Sequence, residues 1–357
     1  MGGSSSTQSH SAPQSVQNHA STGPLIYASG LQQTSGLRES NKPKHPAFSC
    51  VTTANAMTMP NQPNQDSVRA PNAKFRVGCD LLYEVCDPSS FILNVSVAQN
   101  AFQTVTSESF VLEPNLPFYE SHSAVEEKRI HRFSSNAGTV RVLYSAAVEL
   151  SHHMGQGEEA IENAPGLLPA EVVPYLYPSR FCESDKLSRV AWHEFGHLPP
   201  GFPRITAVAN WIHQNVEYLR GGSNPRTSAY DTVTERTGVC RDFAHLGVAF
   251  TRALGIPARF VAGYALGLAP ADFHAYFEAY LGDRWYIFDP TRLAPPTSFV
   301  RIGIGRDAAD TSFATIFGPV NFVSMTITME QTEGDPAQFI DYPLATAPPV
   351  LGSLSAM

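Results

Sequence analysis

From Phe75 to Leu150 the apolar positions fall in short runs rich in Val, Phe, Tyr, Leu and Thr, such as FILNVSVA (91–98) and TVRVLYSAAVEL (139–150). Turn residues separate these runs, and the pattern predicts an all-β domain over 73–150. Upstream, residues 1–72 are dominated by Ser, Gln, Asn, Pro and Thr, with Tyr27 and Phe48 the only aromatics. That composition buries too little to offset ordering entropy and predicts a disordered head. Residues 151–183 are punctuated by Gly155, Gly157, Pro165, Pro169, Pro174 and Pro178, which suits a linker.

A second domain is expected over 184–330, with 331–357 as a tail. Ile205, Val208, Ala209, Ile212, Val216 and Leu219 recur at helical spacing and predict an amphipathic helix over 204–219. Another helix is predicted to begin near Cys240. Phe243, Leu246, Gly247, Phe250 and Leu254 form its buried stripe, and Gly255 and Pro257 end it. Strands follow at ARFVAGYAL (258–266), HAYFEAYL (274–281) and RWYIFDP (284–290).

The two-residue Gly282-Asp283 loop pairs Leu281 with Arg284, and counting back along this hairpin sets His274 diagonal to Asp289 on one face. A one-residue slip would separate them. Cys240 lies in the first turn of its helix, on the face of the buried stripe, so its sulfur points to these strands. The positive helix end favours a thiolate there and can bind a developing oxyanion. An imidazole oriented by a carboxylate can take the thiol proton and return it to a leaving amine. Each residue taken singly also has an ordinary structural role, as a core cysteine, a sheet histidine or a strand-end cap; the three in this order are harder to explain that way.

Composition narrows the picture. The 357 residues carry a formal net charge of −8, which disfavours a nucleic acid partner. Arg252 and Arg259 interrupt the most apolar region, so no membrane-spanning segment is predicted. The first basic residue is Arg38, which predicts no secretory signal. Five cysteines without a CxxC arrangement point to a reducing compartment, and a cytoplasmic location is expected. There is no GxGxxG and no Gly-Lys pair, so no cofactor is expected.

HEFGH at 193–197 matches HExxH, in which two histidines share a zinc ion on one helix face with Glu194 as base. Pro199 and Pro200 end that helix at once, and Pro203 stands where the extended pattern needs a third histidine. No metal is therefore expected, and a zinc peptidase is set behind the thiol reading.

The segment SAYDTVTERTGVCRDFAHLGVAFTRALGIPARFVAGYAL, followed by FHAYFEAYLGDRWYIFDPTR, resembles the core of the bacterial transglutaminase-like superfamily. The similarity runs from about residue 75 to 330 and includes the β domain, LPAEVVPYLYPSRFC before the core and RIGIGRDAAD after it. The resemblance implies a papain-like α+β core with Cys240 as nucleophile, His274 as base and acid, and Asp289 as orienter. It also implies that Asp242 and His245 are architectural. The expected activity is hydrolysis of a peptide, isopeptide or other amide in a peptide or protein substrate, through a thioester. The alternatives are a protein-glutamine transamidase and a catalytically silent binding module.

Overall fold

The computed structural model describes residues 72–155, 160–340 and 343–345. The expected head, and the tail beyond 345, lie outside the described residues. The first part of the chain is all β: β1 (Ala73–Val85), β2 (Ser89–Leu93), β3 (Gln103–Glu113), β4 (Tyr119–Ser123), β5 (Lys128–Ser135) and β6 (Gly138–Leu150). A short β7 (His153–Met154) leads to α1 (Ser184–Phe195), α2 (Phe202–Asn215), β8 (Glu217–Tyr218), α3 (Ala229–Glu235), β9 (Thr237–Gly238) and α4 (Cys240–Ala253). Then come β10 (Ala258–Tyr264), β11 (His274–Leu281), β12 (Arg284–Phe288), β13 (Val300–Gly305), β14 (Ala314–Phe317), β15 (Val320–Glu333) and β16 (Leu344–Ala345).

The β region is two four-stranded antiparallel sheets, ordered β15-β1-β6-β3 and β14-β2-β5-β4. Alternate residues of β1 (Phe75, Val77, Cys79, Leu81, Tyr83, Val85) and of β6 (Val140, Val142, Tyr144, Ala146, Val148, Leu150) are buried. They meet Phe91, Leu93 and Phe133 of the second sheet in a common core, as the period-two pattern requires. β14 and β15 are late in the chain yet pair with β2 and β1. Residues 314–330 therefore sit in the N-terminal sheets and not in the catalytic core to which the sequence reading assigned them. A return strand of this kind is selected by the open edge of β1, and nothing local in its sequence names that partner.

The second layer is a six-stranded sheet, β13-β10-β11-β12-β16-β7, with α4 packed on β10 and β11. β7 and β16 come from the expected linker and tail; β16 adds a two-residue strand beside β12, and β7 pairs with β16 as the sheet's edge. The result is the expected α+β architecture, a transglutaminase-like core with an N-terminal all-β region. No helix among the described residues is long and apolar enough to cross a membrane.

Every residue of α4 from Asp242 to Arg252 is buried, because α1, α2 and α3 cover the side that the sheet does not. Gly247 sets the depth of the α4–β11 contact: a Cβ there would lie 2.4 Å from Phe277 Cε1. Alanine would gain about 1 kcal/mol in helix propensity but overpack the contact at a cost of about 1–3 kcal/mol. The steric cost is expected to win, and Gly247→Ala should lower the thermal unfolding midpoint; a raised midpoint would show that Phe277 has room to turn away.

α2 ends at Asn215, short of the expected 219. Val216 is already extended, and β8 pairs in parallel with β9, Tyr218 opposite Gly238. β-branched Val216 is poorly suited to a helix end, and the two-rung ladder satisfies the backbone that follows it. This short ladder carries Tyr218 to the start of α4.

Candidate active site

The β11–β12 hairpin has the expected register, Leu281 opposite Arg284 and Phe277 opposite Phe288, with Gly282 taking a left-handed φ of 63° at the turn. His274, the first residue of β11, is thereby brought to Asp289, just past β12. Their side chains are 1% and 2% exposed, and His274 Nε2 lies 2.9 Å from Asp289 Oδ2. The carboxylate is itself held: Thr291 N–H donates to Oδ1 at 2.9 Å, and Thr291 Oγ1 donates to Oδ1 at 2.8 Å. With Nε2 engaged by Asp289, Nδ1 is the ring atom left for the thiol.

Cys240 opens α4 and is half-buried. Its sulfur is 4.0 Å from the carbonyl of Phe273, the residue before His274, and the residue packs against the small cluster of Ala244, Phe260 and Ala275. Gly238 and Asp242 shape this helix start. Val239 N–H donates to Asp242 Oδ2 at 3.0 Å, one half of a capping box. A Cβ on Gly238 would lie 2.8 Å from Asp242 Cβ, so glycine leaves the space that cap needs.

Burial opposes a charge on His274 and is the largest single influence. Asp289, by charge and by hydrogen bond, and then Cys240 together outweigh it, raising the imidazole pKa from 6.5 to about 10. A group raised in this way binds a proton in the folded chain that the unfolded chain releases. Its contribution to stability is fully present below pH 6.5 and lost as pH rises toward 10. Asp289→Asn should bring the His274 titration, followed by imidazole nitrogen NMR, down by more than a pH unit; an unmoved titration would remove Asp289 as its cause.

Tyr218 is a site residue that sequence reasoning missed. It lines both clefts together with Cys240, and burial, followed by the Cys240 charge, pushes its pKa up to about 12. It therefore remains a hydrogen-bond donor at neutral pH. No local signal marked it, because Val216 and Leu219 continue the helical spacing past Asn215.

His245 is fully buried and takes an architectural place. Burial first, then Arg241 and Arg252, hold its pKa well below the usual histidine range, so the ring is neutral. Its Nε2 accepts from Ala308 N–H at 3.1 Å, and its ring stacks on Phe181 at 5.1 Å. Two clefts meet at Cys240 and His274, of about 560 Å³ and about 500 Å³.

The HEFGH segment does not form the histidine pair that the zinc alternative would need. α1 ends at Phe195, so His197 lies beyond it, and His193 is 83% exposed and bonded to the adjacent Glu194. The two histidines therefore do not share one helical face. The four described cysteines are all unpaired.

A helix-start cysteine facing a strand-borne histidine across a papain-like core defines a cysteine-based enzyme. Residues 194–290 match the Transglutaminase-like superfamily, and residues 73–167 match the Bacterial transglutaminase, N-terminal domain. The solved structure of a candidate cysteine protease from Cytophaga hutchinsonii is 39% identical, with a TM-score of 0.75 over 78% of this chain and 98% of that one. An uncharacterized protein of Mycobacterium leprae is 33% identical over 115 residues, 30% of this chain and 41% of the relative. One of Mycobacterium tuberculosis is 27% identical over 161 residues, 41% and 51% of the two chains. The matched region thus spans about half, or less, of the length of these mycobacterial relatives. The chain belongs to the transglutaminase-like superfamily.

Proposed function

We propose that this enzyme hydrolyses a peptide, isopeptide or other amide through a thioester on Cys240, with His274 and Asp289 completing the triad. The 2.9 Å contact of His274 with Asp289, beside the helix-start thiol, carries this reading. Asp289 fixes the ring with Nδ1 toward the sulfur, and His274 takes the proton of the Cys240 thiol. Sγ attacks the carbonyl carbon, and the electron pair moves to oxygen. Backbone N–H groups at the start of α4 and the Tyr218 hydroxyl are suited to stabilise that oxyanion. On collapse the C–N bond breaks, and His274 gives its proton to the departing amine. Water, deprotonated by the neutral imidazole, then attacks the thioester; the acid product leaves, and His274 returns the proton to Cys240.

Hydrolysis is favoured over transamidation because neither cleft at Cys240 has a tryptophan in its wall. Trp285, on the hairpin, packs instead against Tyr175, Tyr280 and Arg259. A transferase must exclude water from a second channel that admits the amine, and the smaller cleft, open to Arg220 and Asp272, is not walled in that way. The deciding experiment incubates the enzyme with glutamine-containing and general peptide libraries plus a labelled primary amine, and identifies products by mass spectrometry. Cleaved peptide or free acid is expected as the main product. Predominant amine incorporation at low amine concentration would replace hydrolase by transamidase and leave the triad standing.

A further inference from the structure

The larger cleft at Cys240 is walled by four phenylalanines drawn from distant parts of the chain: Phe181, Phe260, Phe273 and Phe313, with Ile302 beside them. At about 560 Å³ it has the size of a ligand pocket and holds a large side chain with its adjoining backbone. The wall is built before substrate arrives. Phe181 is held by its N–H, which donates to Asp307 Oδ2 at 2.8 Å, and by its stacking on His245. Phe260 also packs on that histidine, with ring centroids 5.0 Å apart. Phe313 is anchored to the β region through its carbonyl, which accepts from Asn94 N–H at 2.9 Å, and its ring meets Phe273 at 5.2 Å.

The charged groups at this cleft are already engaged. The Arg241 guanidinium bonds Asp242 Oδ1 and the Asn224 carbonyl, both at 2.8 Å, and Arg220 donates to the Pro270 carbonyl at 3.2 Å. Asp272 Oδ1 accepts from Phe273 N–H at 2.8 Å. A charged substrate side chain placed among the phenylalanines would lose its hydration without gaining a committed partner. An apolar one would gain the contact.

We propose that the substrate presents a bulky apolar side chain, aromatic or branched aliphatic, next to the amide that Cys240 attacks, seated among Phe181, Phe260, Phe273 and Phe313. This rests on the hydrolase reading above and adds to it the substrate class. It also gives the β region a part in recognition, since Asn94 fixes the position of Phe313.

The test is a peptide library randomised on both sides of the scissile amide, with kcat/KM read for each member. At one flanking position, Phe, Leu or Ile should exceed Asp, Lys and Gly by at least about tenfold, the discrimination expected of an apolar pocket. Phe313→Ala should reduce that ratio several-fold. Ala309→Trp, which adds bulk from an exposed position in the wall, should turn the preference toward Gly and Ala. A flat profile, a preference for acidic side chains, or ratios unchanged in both variants would overturn the proposal while leaving the hydrolase reading intact. No turnover of any member would overturn the hydrolase reading on peptides, and this proposal with it.

Discussion

Cys240→Ala should abolish turnover while leaving the fold in place. The lost sulfur is half-buried and its contact with the Phe273 carbonyl is a long one, 4.0 Å, so little stability goes with it. Losing a covalent nucleophile costs on the order of 10⁶-fold in rate where this has been dissected in other enzymes. Asp289→Ala should be milder, about 10⁴-fold, because the imidazole still adopts a productive orientation part of the time. The double variant should be no worse than Cys240→Ala alone, since residues acting as one unit are not additive. Circular dichroism and thermal melts check that each protein is folded, and steady-state rates on a confirmed substrate give the hierarchy. Normal turnover by a folded Cys240→Ala protein would end the triad hypothesis.

The parts of this site that are local in sequence were legible. α4 announced itself through a 3.6-residue stripe closed by Gly255, which has a φ of 81°. The hairpin register followed from a two-residue turn, and with it the approach of His274 to Asp289. What the sequence concealed depends on distant partners. The alternation of β15 is weak, with only Val320 and Ile327 among its apolar residues buried, so neither its sheet nor its edge position could be read. Tyr218 reaches Cys240 only through the two-rung ladder between β8 and β9. The face of β11 that carries His274, Tyr276, Glu278 and Tyr280 is the more polar of its two faces in sequence, yet all eight residues of the strand are buried. Chemistry that looks solvated in one dimension is paired inside the molecule.

That pairing leads to the largest stability effect expected here. Glu278, fully buried in β11, accepts from Arg259 Nε at 2.7 Å with Oε2 and from Arg301 Nη2 with Oε1. Arg301 Nη1 in turn donates to Glu127 Oε2 at 2.6 Å, and that oxygen also accepts from Asn100 Nδ2 at 2.8 Å. Glu127 and Asn100 belong to the β region, so two arginines and two glutamates join it to the catalytic sheet with their charges balanced. Arg259 also lies 4.2 Å over the Trp285 ring. Glu278→Gln keeps the shape and removes the charge, leaving two buried guanidiniums to share Glu127. Removing one partner of a buried ion pair costs about 3–5 kcal/mol, far more than a surface pair is worth. Glu330, whose side chain is 58% exposed in its 2.6 Å pair with Arg76, supplies the control, since Glu330→Gln should cost no more than about 1 kcal/mol. At roughly 2–4 °C per kcal/mol for a chain of this size, Glu278→Gln should melt about 10 °C lower and Glu330→Gln within a few degrees of wild type. Turnover should fall as well, because Glu278 shares its strand with His274. Equal melting temperatures for the two variants would mean that water reaches the network and screens it, and the buried-charge account of how the two regions are held together would have to be given up.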